Sequence, residues 1–259
     1  MDPLTPSKAV FVVGSPRSGT SALAWALAQH PDFWTSAESD FILPLYGRNR
    51  LREVYDSSVA DITTRPRWLK KHDVGYAEFA RYVGYGLDCL YRSRSGGRRW
   101  VEQSPSYTMM LQDLLLLFPG ASMLHAVRDG RRVVASMLKS GFPMPWATDF
   151  KKACQTWSAF ALRGLHASRA HPDRVLEVRN EALIADPAAA CARIFAFLEA
   201  PEDAQPAAFL RASWVNSSYG DDRQSAERAP WEAWSLWEKR TFESEAGEAM
   251  DALGYPVAL

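Results

Sequence analysis

The sequence predicts an α/β fold in three layers, a central parallel sheet flanked by helices, and three observations predict it. Ala9–Val13 (AVFVV) and Ser122–Val127 (SMLHAV) are short, largely apolar runs of the kind that form strands buried on both faces. Helical patterns alternate with such runs along the chain, the order expected of a parallel sheet crossed by helices. The first run ends at Gly14 and passes through Ser15-Pro16-Arg17-Ser18-Gly19 into a helical pattern starting at Thr20, which is a strand, loop and helix start of the P-loop type.

Each further element has its own local signal. Thr20–Gln29 is rich in helix formers and stops at His30-Pro31-Asp32, with Leu23, Ala26 and Leu27 expected to face the sheet. His30 reads as a helix-end residue rather than a ligand. Phe33-Trp34-Thr35 is a second short strand, followed by Ser36-Ala37-Glu38-Ser39-Asp40, so Glu38 falls at a strand's carboxyl end, where open α/β sheets place their chemistry. Phe41–Tyr46 and Gly75–Tyr91 read as helices, with a solvated basic connector (Arg65, Arg67, Lys70, Lys71) between them. The whole segment is rich in aromatics (Tyr46, Tyr55, Trp68, Tyr76, Tyr82, Tyr85, Tyr91) and suits a lid or pocket wall. Gly96-Gly97 precedes a third strand, Arg99–Gln103, ended by Ser104-Pro105-Ser106; Tyr107–Phe118 is an apolar helix stopped by Pro119-Gly120. Ser122–Val127 is the fourth strand, with His125 expected to be a satisfied core residue. Arg128 stands at its carboxyl end, and Ser136 lies within the helix Val133–Lys139. After the proline-punctuated loop Gly141–Trp146 come a long helix, Ala147–Arg169, and a fifth strand, Arg174–Arg179. A helix to Glu199 starts at Asp186-Pro187, with proline at its first position and Phe195 and Leu198 on the core. Residues 213–228 are polar without periodicity, and Trp231–Leu253 is a final helix packed through Trp234, Trp237 and Met250.

Bulk properties narrow the function classes. The 259 residues suffice for one good core, read as a single domain over 1–259 with a helical insertion at about 41–98. Thirty basic and thirty acidic residues give a formal charge of +0, which argues against a nucleic-acid-coating or membrane-surface protein. The three cysteines (Cys89, Cys154, Cys191) are scattered without metal-ligand spacing and fit reduced thiols in a cytosol. Met1–Lys8 lacks the apolar stretch of a signal peptide and no run approaches about 18 apolar residues, so a cytoplasmic location without a membrane span is expected.

The loop after the first strand carries the chemistry. Its N–H groups and those of the first helical turn converge on one spot where the helix dipole favours negative charge, and Arg17 adds a fork suited to phosphate or sulfate. Ser18, Gly19, Thr20 and Ser21 complete the cradle. Gly14 and Gly19 have the spacing of a Walker A loop, yet Thr20 stands where that motif needs its lysine. An NTPase so built lacks the charge that reaches the β and γ phosphates, so the anion is something other than ATP.

These pieces resemble one family, the sulfotransferases that use 3′-phosphoadenosine 5′-phosphosulfate (PAPS), and among them bacterial members related to the tyrosylprotein type. Gly14–Ser21 (GSPRSGTS) is similar to the family's 5′-phosphosulfate loop, and Val127–Arg131 (VRDGR) through Ser136 to its 3′-phosphate motif, in which Arg128 and Ser136 would hold the ribose 3′-phosphate. Leu117–Ala121 (LFPGA), Val178–Leu183 (VRNEAL) and Leu253-Gly254-Tyr255 are further landmarks, so the resemblance spans nearly the whole chain. It implies transfer of a sulfuryl group to a hydroxyl, or secondarily an amine, of a small molecule or glycan, leaving adenosine 3′,5′-bisphosphate (PAP) and requiring no metal. Arg17 and Thr20 would serve the leaving side, and Glu38, by its distance from the loop, the catalytic base; Asp40 and Glu102 are its nearest rivals. Three residues depart from the pattern: Gln103 stands where relatives often carry a lysine, Asn180 replaces a tyrosine, and the GxxGxxK motif of the cytosolic animal branch is absent, leaving Ser217, Ser218, Arg223 and Arg228 as candidates to close over the nucleotide.

Two other readings stay open on the residues: a P-loop small-molecule kinase, disfavoured by Thr20, and a non-catalytic binder of adenosine bisphosphate. The aromatics of Phe41–Tyr91 and Trp146 fit a phenolic, lipid or polyketide acceptor and, nearly as well, a sugar.

Overall fold

A computed structural model describes residues 8–46, 50–60, 67–212 and 230–256. The expectations for Arg65, for Ser217, Ser218, Arg223 and Arg228 in the polar loop, and for the first seven residues fall outside them.

The sheet is parallel throughout. Strand β1 (Val10–Gly14) is followed by α1 (Thr20–Leu27), β2 (Phe33–Thr35), α2 (Ile42–Tyr46), α3 (Arg50–Val59), α4 (Trp68–Lys71), α5 (Tyr76–Ser95) and β3 (Arg99–Glu102). Then come α6 (Leu111–Leu117), β4 (Ser122–Val127), α7 (Gly130–Leu138), α8 (Pro145–Thr148), α9 (Phe150–Ala170) and β5 (Val175–Arg179). The chain continues through α10 (Asn180–Ala185), α11 (Pro187–Leu198), α12 (Gln205–Ala212), α13 (Pro230–Ala233) and α14 (Leu236–Ala252). The strand order is β2-β3-β1-β4-β5, with Val10 opposite Val101 on one side and Gly14 opposite Ala126 on the other. The chain therefore reverses direction across the sheet around β1, and the crevice at such a point is where open α/β sheets bind ligands.

The all-apolar sequence of β1 follows from its two covered faces. Phe11 and Val13 pack with Trp100, Tyr107 and Phe118 under α5 and α6, while Val10 and Val12 pack with Leu23, Leu27 and Phe195 under α1 and α11. Alternation along a strand sends neighbours to opposite faces, so both sets must be hydrophobic. A third cluster joins Val127, Val133, Trp157, Phe242 and Met250 between β4, α7, α9 and α14. Leu23, Ala26, Leu27, Phe195, Leu198 and Met250 are buried as expected, but Trp237 is 61% exposed.

Several helices break where one was expected. Tyr107–Phe118 is a 3-10 turn (Pro105–Met110) running into α6; Pro105 opens it, and Thr108 is tied to the backbone of Gly14, which holds the turn against β1. Asp149 is extended and caps α9 by accepting from the Lys152 N–H, separating α8 from α9. Ser235 and Glu238 form a capping box that separates α13 from α14. Helices α3, α10 and α12 were not anticipated. The insertion's aromatics serve largely as packing: Tyr91 stacks on Trp100 at 4.3 Å, and Tyr55 meets Tyr76 at 5.4 Å.

The two buried histidines differ. His30 Nδ1 accepts from the Asp32 N–H and Nε2 donates to the Pro201 carbonyl, fixing the tautomer at the end of α1. His125, in mid-strand, has no partner at Nδ1, contrary to the expectation of a satisfied core residue; burial lowers its pKa to about 4 and keeps it neutral.

Candidate active site

The loop between β1 and α1 is built to leave backbone donors open. Arg17 adopts φ +69° and Gly19 φ +96°, so the chain turns sharply into α1, and the Ser18 N–H bonds back to Ser15 O at 3.1 Å. No side chain caps α1 and no acidic residue lies in its first turn. The first N–H groups of a helix lack intrahelical partners, and with no internal cap they and the dipole face an anion. Ser18 and Thr20 are buried beneath this turn, and Ser21 Oγ donates to Gln103 Oε1 at 3.0 Å. Glycine suits this position because a φ of +96° is one that other residues rarely adopt, and a Cβ there would also press on the tip of the Asn180 side chain.

Three of the expected anion-binding side chains meet. Arg17 Nε donates to Ser136 Oγ at 3.1 Å, and Arg128 Nη1 donates to the Arg17 carbonyl at 3.2 Å. Residues 119 apart in sequence are thus joined because β4 lies beside β1 and α7 leaves β4 on the same edge. Two guanidinium groups and a buried hydroxyl thus stand beside an uncapped helix start, a grouping of donors suited to an anion.

Glu38 stands on the other side of β1, beyond β2. Glu38 is an exposed residue, yet its carboxyl is sufficiently surrounded for desolvation to raise its pKa to about 7, with the charges of Asp40 and Glu102 adding to the shift. Its rivals are engaged. Glu102 is 3% exposed and its Oε1 accepts from Ser104 Oγ at 2.6 Å and from the Ser39 N–H at 3.3 Å. Asp40 accepts from Ser106 Oγ at 3.0 Å. The segment carrying Glu38 is held by Ser39 Oγ, which lies 2.7 Å from Tyr91 Oη and 3.0 Å from Tyr107 Oη.

Sequence reasoning missed these supports: Thr108 on the phosphate loop, the Ser39–Tyr91–Tyr107 cluster behind Glu38, and Glu181, which accepts from the Asp129 N–H at 2.9 Å. Only Glu181 had a signal, as part of the landmark segment Val178–Leu183. Among the described residues no group of three or more His, Cys, Asp and Glu is placed to hold a metal ion, and no helix is long and apolar enough to cross a membrane.

The parallel sheet and the loop from β1 into α1 define a P-loop-like fold in which Thr20 stands where an NTPase has its lysine. The model of the sulfotransferase family matches residues 9–204, and the chain belongs to that family. It is 30% identical over 141 residues to nodulation protein NoeE of Sinorhizobium fredii, covering 54% of this chain and 33% of that protein. It is 24% identical to a Drosophila melanogaster protein-tyrosine sulfotransferase, covering 85% of this chain and 43% of that protein. The chain thus spans less than half the length of these relatives. The sulfotransferase domain of the Synechococcus PCC 7002 olefin synthase shares the fold, with a TM-score of 0.62 at 20% identity over 100% of this chain and 98% of that one. So does mouse sulfotransferase SULT7A1 complexed with PAP, with a TM-score of 0.51 at 16% identity over 94% and 84%.

Proposed function

We propose that the protein transfers the sulfuryl group of PAPS to a hydroxyl, or secondarily an amine, of a small-molecule or glycan acceptor, with Glu38 as the base. The observation that carries this reading is the meeting of Arg17, Arg128 and Ser136 beside the uncapped start of α1. The fit to an adenosine bisphosphate core is chemical: two separated monophosphate-sized anions suit two arginines and a ring of N–H donors, with no triphosphate for a lysine to reach. The SULT7A1 complex with PAP supports the same choice.

PAPS held there supplies an activated sulfuryl group, and the residues of this chain divide the remaining work. Arg128 and Ser136 hold the 3′-phosphate. The N–H groups of residues 18–21, with Arg17 and Thr20, hold the 5′ end and neutralise the charge left on its oxygen. Glu38 takes the proton of the acceptor hydroxyl; a carboxyl with pKa about 7 is half ionised at neutral pH and binds a proton more strongly than an ordinary one. The insertion at about 41–98 lies beside Glu38 through Phe41 and Tyr91, stacked at 5.9 Å, and forms the acceptor-side wall. Metal-independence follows from this division, since both arginines supply the cationic charge.

Calorimetric titration of PAP and of ATP with magnesium, on the wild type and Arg128→Ala, tests the reading. PAP binds without metal and unaffected by EDTA, and the variant binds it about 10–100-fold more weakly, the loss of hydrogen bonds to a charged group. Binding of ATP with magnesium but not of PAP would favour a kinase. PAP binding unaltered in Glu38→Ala, with no turnover of PAPS by the wild type across an acceptor screen, would identify a non-catalytic bisphosphate binder.

A further inference from the structure

The landmark segments Val178–Leu183 and Leu253–Tyr255 have no direct role in anion binding as described, yet they meet beside the site. Glu181, in the first turn of α10, uses both carboxylate oxygens: Oε1 accepts from the Asp129 N–H at 2.9 Å and Oε2 accepts from Tyr255 Oη at 3.0 Å. Tyr255 is itself held, its ring under the Arg179 guanidinium at 4.9 Å, while Arg179 Nη2 donates to the Leu253 carbonyl at 2.5 Å. One carboxylate therefore joins the end of β5, the chain after α14 and the turn between β4 and α7.

That turn presents Arg128, and it has little freedom. The Asp129 carboxylate is spent on Arg131, accepting from its backbone N–H at 2.9 Å and from Nη2 at 2.6 Å. Gly130 lies against the Trp157 ring, where a Cβ would stand 2.7 Å from ring carbons. At the Asp129 N–H a distant segment holds the backbone next to Arg128 by a hydrogen bond rather than by packing.

We propose that Glu181 is a positioning residue for the 3′-phosphate, a clamp that fixes the backbone at Asp129 so that Arg128 is delivered at the right height beside Arg17, and that Tyr255 completes it from the far end of the chain. The inference rests on the reading that Arg128 holds the 3′-phosphate of PAP. Without the carboxylate the Asp129 N–H loses its acceptor, the turn relaxes, and the guanidinium spreads over several positions. The 3′-phosphate feels this and the 5′-phosphate does not.

Calorimetry with PAP and with adenosine 5′-monophosphate, which lacks the 3′-phosphate, separates the two ends. Glu181→Ala should weaken PAP about tenfold, the equivalent of one hydrogen bond to a charged group, and leave the monophosphate within about twofold. Glu181→Gln should restore PAP to within about threefold, because an amide can accept from the Asp129 N–H and donate to Tyr255 Oη. Tyr255→Phe should weaken PAP about threefold, and it decides the matter if Glu181→Ala does not fold. PAP affinity within twofold of wild type in Glu181→Ala and Tyr255→Phe overturns the clamp, as does equal weakening of both ligands, which marks a general structural role. If the wild type does not bind PAP, the donor reading fails instead.

Discussion

Glu38→Gln should stabilise the protein at pH 8 and leave it nearly unchanged at pH 4.5. Partial burial, then Asp40, then Glu102 raise the Glu38 carboxyl from 4.5 to about 7. A group whose pKa is raised on folding binds its proton more tightly in the native state. Its contribution to stability is present in full below 4.5 and is lost as pH rises through about 7. Glutamine does not ionise and so escapes the loss. The whole shift corresponds to at most about 3 kcal/mol at 1.36 kcal/mol per unit, and because Glu38 is open to water, screening reduces the expected gain to about 1 kcal/mol. For a chain of this size that is a rise of about 2–4 °C in Tm at pH 8. Thermal melts of both proteins at half-unit steps from pH 4.5 to 8.5, at constant ionic strength, would show the two curves diverging as pH rises and running parallel above about pH 7.5. A constant offset across the range, or a variant less stable at pH 8, would refute the raised pKa. With Glu38 as the proposed base, the same titration sets turnover by the wild type: kcat/KM should fall about tenfold per pH unit below 7, and the variant should lose about 10²–10⁴-fold.

Two further changes test the scaffold. Gly19→Ala forces a Cβ into the Asn180 amide at φ +96° and should cost about 1–3 kcal/mol while weakening PAP, read by melting and calorimetry together; wild-type affinity would show that the loop tolerates a different turn. Phe11→Ala removes a fully buried ring that meets Trp100 at 5.3 Å and Phe118 at 5.1 Å, and should cost about 3–5 kcal/mol in urea denaturation.

The strands were legible because burial on both faces leaves an unmistakable apolar run, and all five appear within a residue of their expected bounds. The turn from β1 into α1 was legible because its signals are local: glycines and a helix start stand within a dozen positions, whereas the meeting of Arg17 with Arg128 and Ser136, more than a hundred positions away, was suggested only by the family resemblance. What could not be read was whatever depends on contact between distant segments. The capping residues Asp149 and Ser235 break long helical patterns whose periodicity continues across them. Thr108 looks like any helical threonine until β1 lies beside it. Ser39, Tyr91 and Tyr107 are 52 and 68 positions apart from one end, and only the folded insertion brings their hydroxyls together.

The strand order lets the proposed site combine a raised carboxyl with two arginines. An arginine within about 4–6 Å of a carboxyl lowers its pKa by about 1–3 units. Arg17 and Arg128 follow β1 and β4, whereas Glu38 follows β2 and Glu102 ends β3, on the opposite side of the loop after β1. At about 4.8 Å per strand, the ends of β2 and β4 are about 14 Å apart, well beyond the range of direct pairing. Accordingly the causes of the Glu38 shift are burial and two carboxylates, with no cation among them. The neutral Gln103 fits this division, since it follows Glu102 on the acceptor side and its Oε1 is occupied by Ser21. A cation there would strengthen the hold on the donor but draw the base back toward its ordinary pKa. On the proposed reading the sheet separates the two tasks in space, anion binding after β1 and β4 and proton removal after β2.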